Sequence, residues 1–418
     1  MSAPVTTGTG ADTARPPQRR VDPARWVRDN LFPTPFNSVL TLVFAPLVVW
    51  ATWRFARFLV VSARWEIVET NLTLYVVGGF PREQLWRLWL ALTILAAVFG
   101  LLGGVVGVTA REAAVAAGRT TATTRWDRLA RLGPPALLLL VLLGFSRTFT
   151  PLLLTGAVVA IGLSLSLVAR RIPAALRRAV PLITVAGVVV SLYSISSFGG
   201  VPRDEWGGLL ITMYYTIGAL VVSYPVGILF ALGRRSSLPM VRWVCGAYVE
   251  FFRGSPLITL LFTGWLVLPF FLPADFPTPT LVTRALIIFI LFTSAYVAEI
   301  VRGGLQAVGR GQWEAAQALG LSPWKQTRLI VLPQALRAVI PGLVGQAISL
   351  FKDTTLVLII GQQDLLAIAQ NVTKQDEFLG QGYIIESLVF VGIVYWVASY
   401  WLSKESQRLE VRLGVGQR

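Results

Sequence analysis

Apolar runs long enough to cross a bilayer recur along this chain, separated by short segments in which arginine predominates. Residues 207–233 and 255–274 contain no charged side chain, and about 20 apolar residues in helical form span a bilayer core. The same pattern predicts spans over 38–61, 87–110 and 179–195 in the first half. In the second half it predicts 207–233, 255–273, 281–301, 336–358 and 383–402. The block 134–169 is too long for one helix and is interrupted by Ser146, Arg147 and Thr148, so a tight hairpin is the better reading. Within 87–110, Gly100 and Gly104, and Gly103 and Gly107, form two overlapping GxxxG spacings of the kind that lets membrane helices approach closely.

Basic residues orient these spans, because Lys and Arg concentrate on the cytoplasmic side. Arg15, Arg19, Arg20, Arg25 and Arg28 keep the N-terminus inside, and residues 1–37 read as a disordered cytoplasmic tail rather than a cleaved signal. Arg54 and Arg57 sit near the outer end of the first span and fit the rule less well. The balanced loop 62–86 falls outside, and the arginine-rich segment 111–131 inside. A hairpin over 134–169 returns Arg170, Arg171, Arg177 and Arg178 to the inside. The last five spans then begin outside, turn inside at Arg234 and Arg235, expose the loop 361–382 outside, and end in a cytoplasmic tail, 404–418.

Composition agrees with a membrane protein: of 418 residues 55% are hydrophobic and 14% charged, against about a quarter charged in soluble domains. The formal net charge of +16 lies in loops between spans rather than on a soluble face, so no nucleic-acid partner is expected. There is no histidine and one cysteine, Cys245, which reads as a packing residue. A metal site and a catalytic dyad or triad are therefore not expected. The chain contains no GxxxxGK[ST], so it has no nucleotide site of its own.

The segment 302–335 lies between two of the later spans on the predicted inner side. Helix formers run over Gln312–Leu319, and Gly320 is placed as a C-terminal stop. Ser322 suits an N-cap with Pro323 in the first turn, and a second helix should break at Pro333. Two short helices in an L, facing the cytoplasm, are the expectation. On physical grounds alone this is a structured loop.

Glu314-Ala315-Ala316, followed by Gly320, Ile330 and Leu332-Pro333, resembles the EAA loop of ABC importer permeases. In that family the loop forms a coupling helix that docks on a cytoplasmic ATPase. Ala231–Ser236, Tyr248–Leu257, Ala298–Gly304 and Leu350–Leu356 look like the polar amino-acid branch, over roughly 205–412. More weakly, the long N-terminal half with Phe80-Pro81-Arg82-Glu83 resembles the larger permease of general L-amino-acid transporters.

The resemblance implies a five-helix permease core, 207–403, with coupling loop 302–335, preceded over 38–206 by about three to five extra transmembrane helices. It implies a transport subunit in the bacterial inner membrane, working with an ABC ATPase dimer, a second permease chain and a periplasmic amino-acid-binding protein. ATP and Mg are then used by the ATPase, and no cofactor is bound by this chain. An ion-gradient-driven secondary amino-acid transporter is the alternative, but it leaves the loop unexplained.

Within the loop, Glu314 is expected at the start of the coupling helix, where a carboxylate is favoured by unpaired amides. Ala315 and Ala316 would allow close approach of the ATPase, Gly320 the sharp turn, and Leu332 and Pro333 the exit; simple capping and intramembrane packing are the plainer readings. Glu250 with Arg253, and Glu299 with Arg302, share i,i+3 spacing near predicted inner ends. They could form a cytoplasmic gate or ordinary interfacial salt bridges. Lys352 and Asp353 lie about 24 Å along the fourth of the five spans, counted from Leu336 at helical rise. With Thr354 and Thr355 beside them they could contact a zwitterionic substrate or close an outer gate, or simply form a fixed ion pair.

Overall fold

The computed structural model describes residues 22–116, 149–197, 199–273 and 275–413. Its residues group into two compact units, Met1–Arg64 and Trp65–Arg418.

The first unit holds two helices. α1, Pro23–Leu31, starts at an Asp22 cap, so the expected disordered tail is helical in this part. Residues 1–21 lie outside the described set. α2, Pro35–Arg57, is capped by Thr34 and continues through a π turn, Phe58–Ser62, and none of its side chains is buried. Arg54 lies over the ring of Trp50 and Arg57 over that of Trp53, at 6.0 and 5.6 Å. The two cations that fit the charge pattern less well thus each lie over an aromatic ring near the C-terminal end of α2.

The second unit is helical throughout the described residues. Its N-terminal part comprises α3, Glu66–Val77; α4, Leu85–Ala116; α5, Thr150–Val168; and α6, Val180–Ser196. α4 and α5 run parallel, and Gly100 is what lets them meet, since a methyl there would collide with the carbonyl of Gly162. Gly103 and Gly107, the second GxxxG pair, face open space. α6 crosses α4 antiparallel, with the Ser191 hydroxyl donating to the carbonyl of Ala91 at 3.0 Å. Arg177, just past α5, pairs with Glu112 near the end of α4 at 2.8 Å, so the arginine cluster lies at the predicted inner end of α4. The first arm of the expected hairpin, before Phe149, is outside the described residues.

The C-terminal part comprises α7, Gly208–Gly233; α8, Pro239–Gly254; α9, Leu257–Phe262; and α10, Leu281–Ala307. It continues with α11, Arg310–Ala318; α12, Leu332–Asp353; α13, Leu365–Asn371; and α14, Ile384–Leu413. α7 packs closely along α10, where Gly227 leaves room for Val297: a methyl would stand 2.6 Å from its Cγ1. α12 joins α10 to α14.

The single span expected over 255–273 is half of a broken pair. α8, absent from the sequence pattern because Arg242, Glu250 and Arg253 interrupt it, meets the segment 257–271 at a bend of 104°. Ser255 is extended at the corner, as a residue before proline prefers, and Pro256 opens the next turn. Among the described residues seven helices are long and apolar enough to cross a membrane, or eight with this bent pair counted as one.

The segment 62–86, expected to be a loop on the outer side, is also corrected, because it contains α3. Ile67, Val68 and Tyr75 of α3 are buried against Leu365 and Ile368 of α13 and Phe390 of α14. Burying such side chains stabilises by roughly 1.5–3 kcal/mol each. The Tyr75 hydroxyl shares a 2.5 Å hydrogen bond with that of Ser387. Where α3 ends and α7 begins, Gly78 and Gly208 take φ of +63° and +58°, and a Cβ at either would strike the other segment's backbone. The Gly208 amide then donates to the Gln363 carbonyl at 2.7 Å. Asp364, fully buried, caps α13 by accepting from the amides of Ala367 and Leu366 at 2.9 and 3.2 Å.

Candidate functional site

The loop between α10 and α12 begins with α11, whose N-cap is Gly309. Glu314 is therefore the fifth helical residue, not the first. Its carboxylate lies beyond the turn whose amides are free, so helix capping does not account for it. Glu314 and Ala315 are exposed, whereas Ala316 is buried. Of the two small residues, one is offered outward and the other packs on its own chain.

α11 closes in a Schellman motif. The Gly320 amide donates to the Gln317 carbonyl at 2.9 Å and the Leu321 amide to the Ala316 carbonyl at 3.2 Å. Gly320 holds φ +71°, and no heavy atom lies within 4 Å of where its Cβ would be. It is required by conformation, not by crowding. Ser322 occupies the N-cap position of the next turn, Pro323–Gln326, but its side chain makes no cap bond. The buried Gln326 side chain ties the elbow instead, donating to the Leu321 carbonyl at 2.7 Å.

The expected break at Pro333 does not occur. A π turn, Thr327–Val331, leads straight into α12, whose first turn contains Pro333. Proline lacks the amide that an interior position needs, and the wider turn before it accommodates the missing bond. Leu332 is half-buried in the inner core beside Val331 and Ala335, while Pro333 is exposed.

Three large apolar side chains project from this elbow: Leu319 is 76%, Trp324 63% and Leu329 62% exposed. Sequence reasoning missed them, although an apolar residue before a capping glycine and a tryptophan after a helix-starting proline were visible signals. On the loop's other flank a cleft of about 440 Å³ is lined by Arg235, Leu305, Val308, Trp313 and Glu314, among others. Arg235 caps it, stacked 5.0 Å from the Trp313 ring and donating to the Leu305 carbonyl at 3.2 Å.

Deeper on the same side lies an ion-pair node. Glu299 on α10 accepts from Arg302, with Nε at 3.0 Å, and from Arg234 at the end of α7, also at 3.0 Å. Arg253 of α8 approaches it to 3.5 Å and lies over the ring of Tyr296. The Glu299–Arg302 pair is present at its expected spacing. The Glu250–Arg253 pair is not: Glu250 turns to Arg234 at 2.9 Å, because Arg234 reaches between the two carboxylates. The node therefore ties together α7, α8 and α10 rather than single helices.

Lys352 and Asp353 end α12, which passes into a tighter turn, Thr354–Ile360. Lys352 is exposed and Asp353 half-buried, 3.4 Å from the Ser349 hydroxyl. Among the described salt bridges, with N···O at 4.0 Å or less, none links the two. Thr354 is buried and Thr355 half-buried; both hydroxyls donate at 2.8 Å to carbonyls of their own helix, those of Phe351 and Lys352.

Residues 223–403 match the family described as binding-protein-dependent transport system inner membrane component. The chain is 35% identical to the inner membrane amino-acid ABC transporter permease protein YhdY of Escherichia coli (strain K12), over 94% of this chain and 93% of that one. It is 33% identical to the glutamate/glutamine/aspartate/asparagine transport system permease protein BztC of Rhodobacter capsulatus, over 95% of each. A solved structure of an amino acid ABC transporter with histidines matches 49% of this chain and 91% of that chain, at 30% identity and a TM-score of 0.43. The similarity to the two full-length relatives thus takes in the N-terminal helices as well as the core.

Proposed function

The chain belongs to the inner membrane permeases of amino-acid ABC importers, and from that membership we propose that it passes polar L-amino acids inward under the control of a separate ATPase that docks on the elbow around Gly320. In this reading α11 is the coupling helix. Its exposed Glu314 and Ala315, with Leu319, Trp324 and Leu329, form the docking face. ATP and Mg are bound and used by the ATPase dimer. A second permease chain completes the pathway, and a periplasmic binding protein delivers the substrate to the outer face.

The exposed apolar side chains of the Schellman-closed elbow carry the proposal. Apolar surface left exposed on an otherwise polar loop marks a protein contact. The connection to the membrane is short: α11 follows α10 after Val308 and Gly309, and α10 carries Glu299 and Arg302. A displacement of α11 is thereby transmitted to the ion-pair node, which we assign as the inner gate. Lys352 and Asp353, at the other end of α12, are candidates for the outer part of the path.

The test uses the assembled transporter in membrane vesicles. Gly320→Leu should abolish or strongly reduce ATP-dependent amino-acid uptake, because a branched side chain disfavours a φ of +71° by about 1–2 kcal/mol. Gly320→Asn, which tolerates that conformation, should keep much more activity. Glu314→Lys should weaken coupling while insertion stays normal. ATPase co-purification and uptake at the parent level in both Gly320→Leu and Glu314→Lys would rule out the elbow as the coupling element.

A further inference from the structure

We infer that α1 is an interfacial helix that lies in the phospholipid headgroup layer of the cytoplasmic leaflet, holding the N-terminal span at a fixed depth. At 100° per residue, Trp26, Val27 and Leu31 fall on one side of α1 with Asn30, and Arg25, Arg28 and Asp29 on the other. Trp26 is half exposed, and no side chain described in α1 is buried. A nine-residue helix with such a division has no reason to persist in water, where short isolated helices are marginal.

What covers the apolar side follows from where α1 is tethered. Only Phe32, Pro33 and Thr34 separate it from α2, which is long and apolar enough to span the membrane. The corner is fixed by hydrogen bonds. The Thr34 hydroxyl caps α2 by accepting from the Asn37 amide at 3.2 Å, and the Ser38 hydroxyl donates to the Thr34 carbonyl at 2.9 Å. The Thr41 hydroxyl donates at 2.6 Å to the Leu31 carbonyl, the last of α1. This bond sets the end of α1 level with the second turn of α2, among Asn37, Ser38 and Thr41, rather than out in the cytoplasm. At that depth the apolar side faces the acyl boundary, and Arg25 and Arg28 reach phosphate oxygens. At the opposite end of α2, Trp50 with Arg54 and Trp53 with Arg57 form the matching anchor.

The test is depth-resolved labelling of the full chain in its assembled transporter, in vesicles of phosphatidylethanolamine and phosphatidylglycerol. In a Cys245→Ala background, single cysteines at Val27 and at Asp29 carry a spin label. Accessibility to oxygen, which partitions into lipid, is compared with accessibility to a water-soluble nickel chelate. The oxygen-to-nickel ratio at 27 should exceed that at 29 several-fold. Introducing Trp26→Glu with Leu31→Glu should bring the two ratios together without loss of the assembled complex. Equal, water-like ratios at both sites in the parent would show α1 in solvent and overturn the proposal. Shielding of position 27 from both relaxants would overturn it as well, showing the apolar side packed on protein.

Discussion

Glu299 accepts hydrogen bonds from two arginines and lies 3.5 Å from a third, and those arginines come from three different helices. Removing such an acceptor takes the counter-ion from Arg302 and Arg253 and leaves Arg234 with Glu250 alone, which costs more than the net worth of any one pair. Glu299→Gln should therefore lower stability by about 1–3 kcal/mol and disturb the inner gate proposed for this node. Glu250, two-thirds exposed, should matter little: about 0.5 kcal/mol or less for Glu250→Gln. Thermal unfolding of the purified transporter compares the two variants, and equal losses would contradict the asymmetric node.

Asp364 offers a pH test on the outer side. Burial outweighs the amides it accepts and pushes its carboxyl from an ordinary 3.8 up to about 6. A raised carboxyl favours the folded state while protonated, so its contribution is fully present below about pH 4 and lost as pH rises through about 6. Asp364→Asn keeps the shorter cap bond, its amide oxygen accepting from Ala367, gives up the longer one from Leu366, and cannot ionise. It should stabilise the protein near neutral pH, by at most about 3 kcal/mol, and flatten the pH dependence between about 4 and 7. An unchanged slope in unfolding measurements across that range would assign the titration elsewhere.

At the scale of elements, two GxxxG patterns that look alike in the sequence have different fates. Gly100→Leu should prevent α4 and α5 from meeting and reduce folded yield in detergent, while Gly103→Leu should be nearly silent, because its position is open. Similar yields for both would mean that α4 and α5 do not rely on this contact. The long apolar spans, such as Gly208–Gly233 and Leu281–Ala307, were legible because a lipid environment leaves little choice but an apolar helix. Gly320 was legible for a comparable reason, since few residues suit a helix end in that conformation.

Other elements were hidden because packing, not periodicity in lipid, decides them. α3 has only 12 residues and carries Glu66 and Glu69, so it reads as a polar loop until its buried stripe of Ile67, Val68, Asn71 and Tyr75 is noticed. Two of the charges that interrupt α8, Glu250 and Arg253, have partners at the end of α7 and on α10, and i,i+3 spacing assigned Glu250 to Arg253 when a third residue, Arg234, was in reach. Spacing within one helix carries no information about a cation arriving from another.

For the molecule as a whole, α3 means that the N-terminal half is not a detachable addition. Its neighbours are α7, α13 and α14, all in the permease core. A chain begun at Gly207 would leave Leu365, Ile368 and Phe390 without their cover. It should fail to accumulate as a monodisperse membrane protein, as judged by immunoblot of membranes and gel filtration. Accumulation at the parent level would show that the core closes without α3.

The placement of α3 also has a consequence in time. Tyr75 meets Ser387 across 312 positions of sequence. At a synthesis rate of about 5–20 residues per second, α3 leaves the ribosome roughly 15–60 s before the helix that completes its pocket exists. During that interval its apolar stripe can meet α7 and then α13 but not α14, and the contact that ties the two ends of the chain together is among the last available to form. Maturation of this protein is therefore a closure event, with α3 incompletely covered until the final span arrives. Quality control that senses unpaired apolar surface there would have a window set by the length of the chain rather than by the strength of any bond in the finished fold.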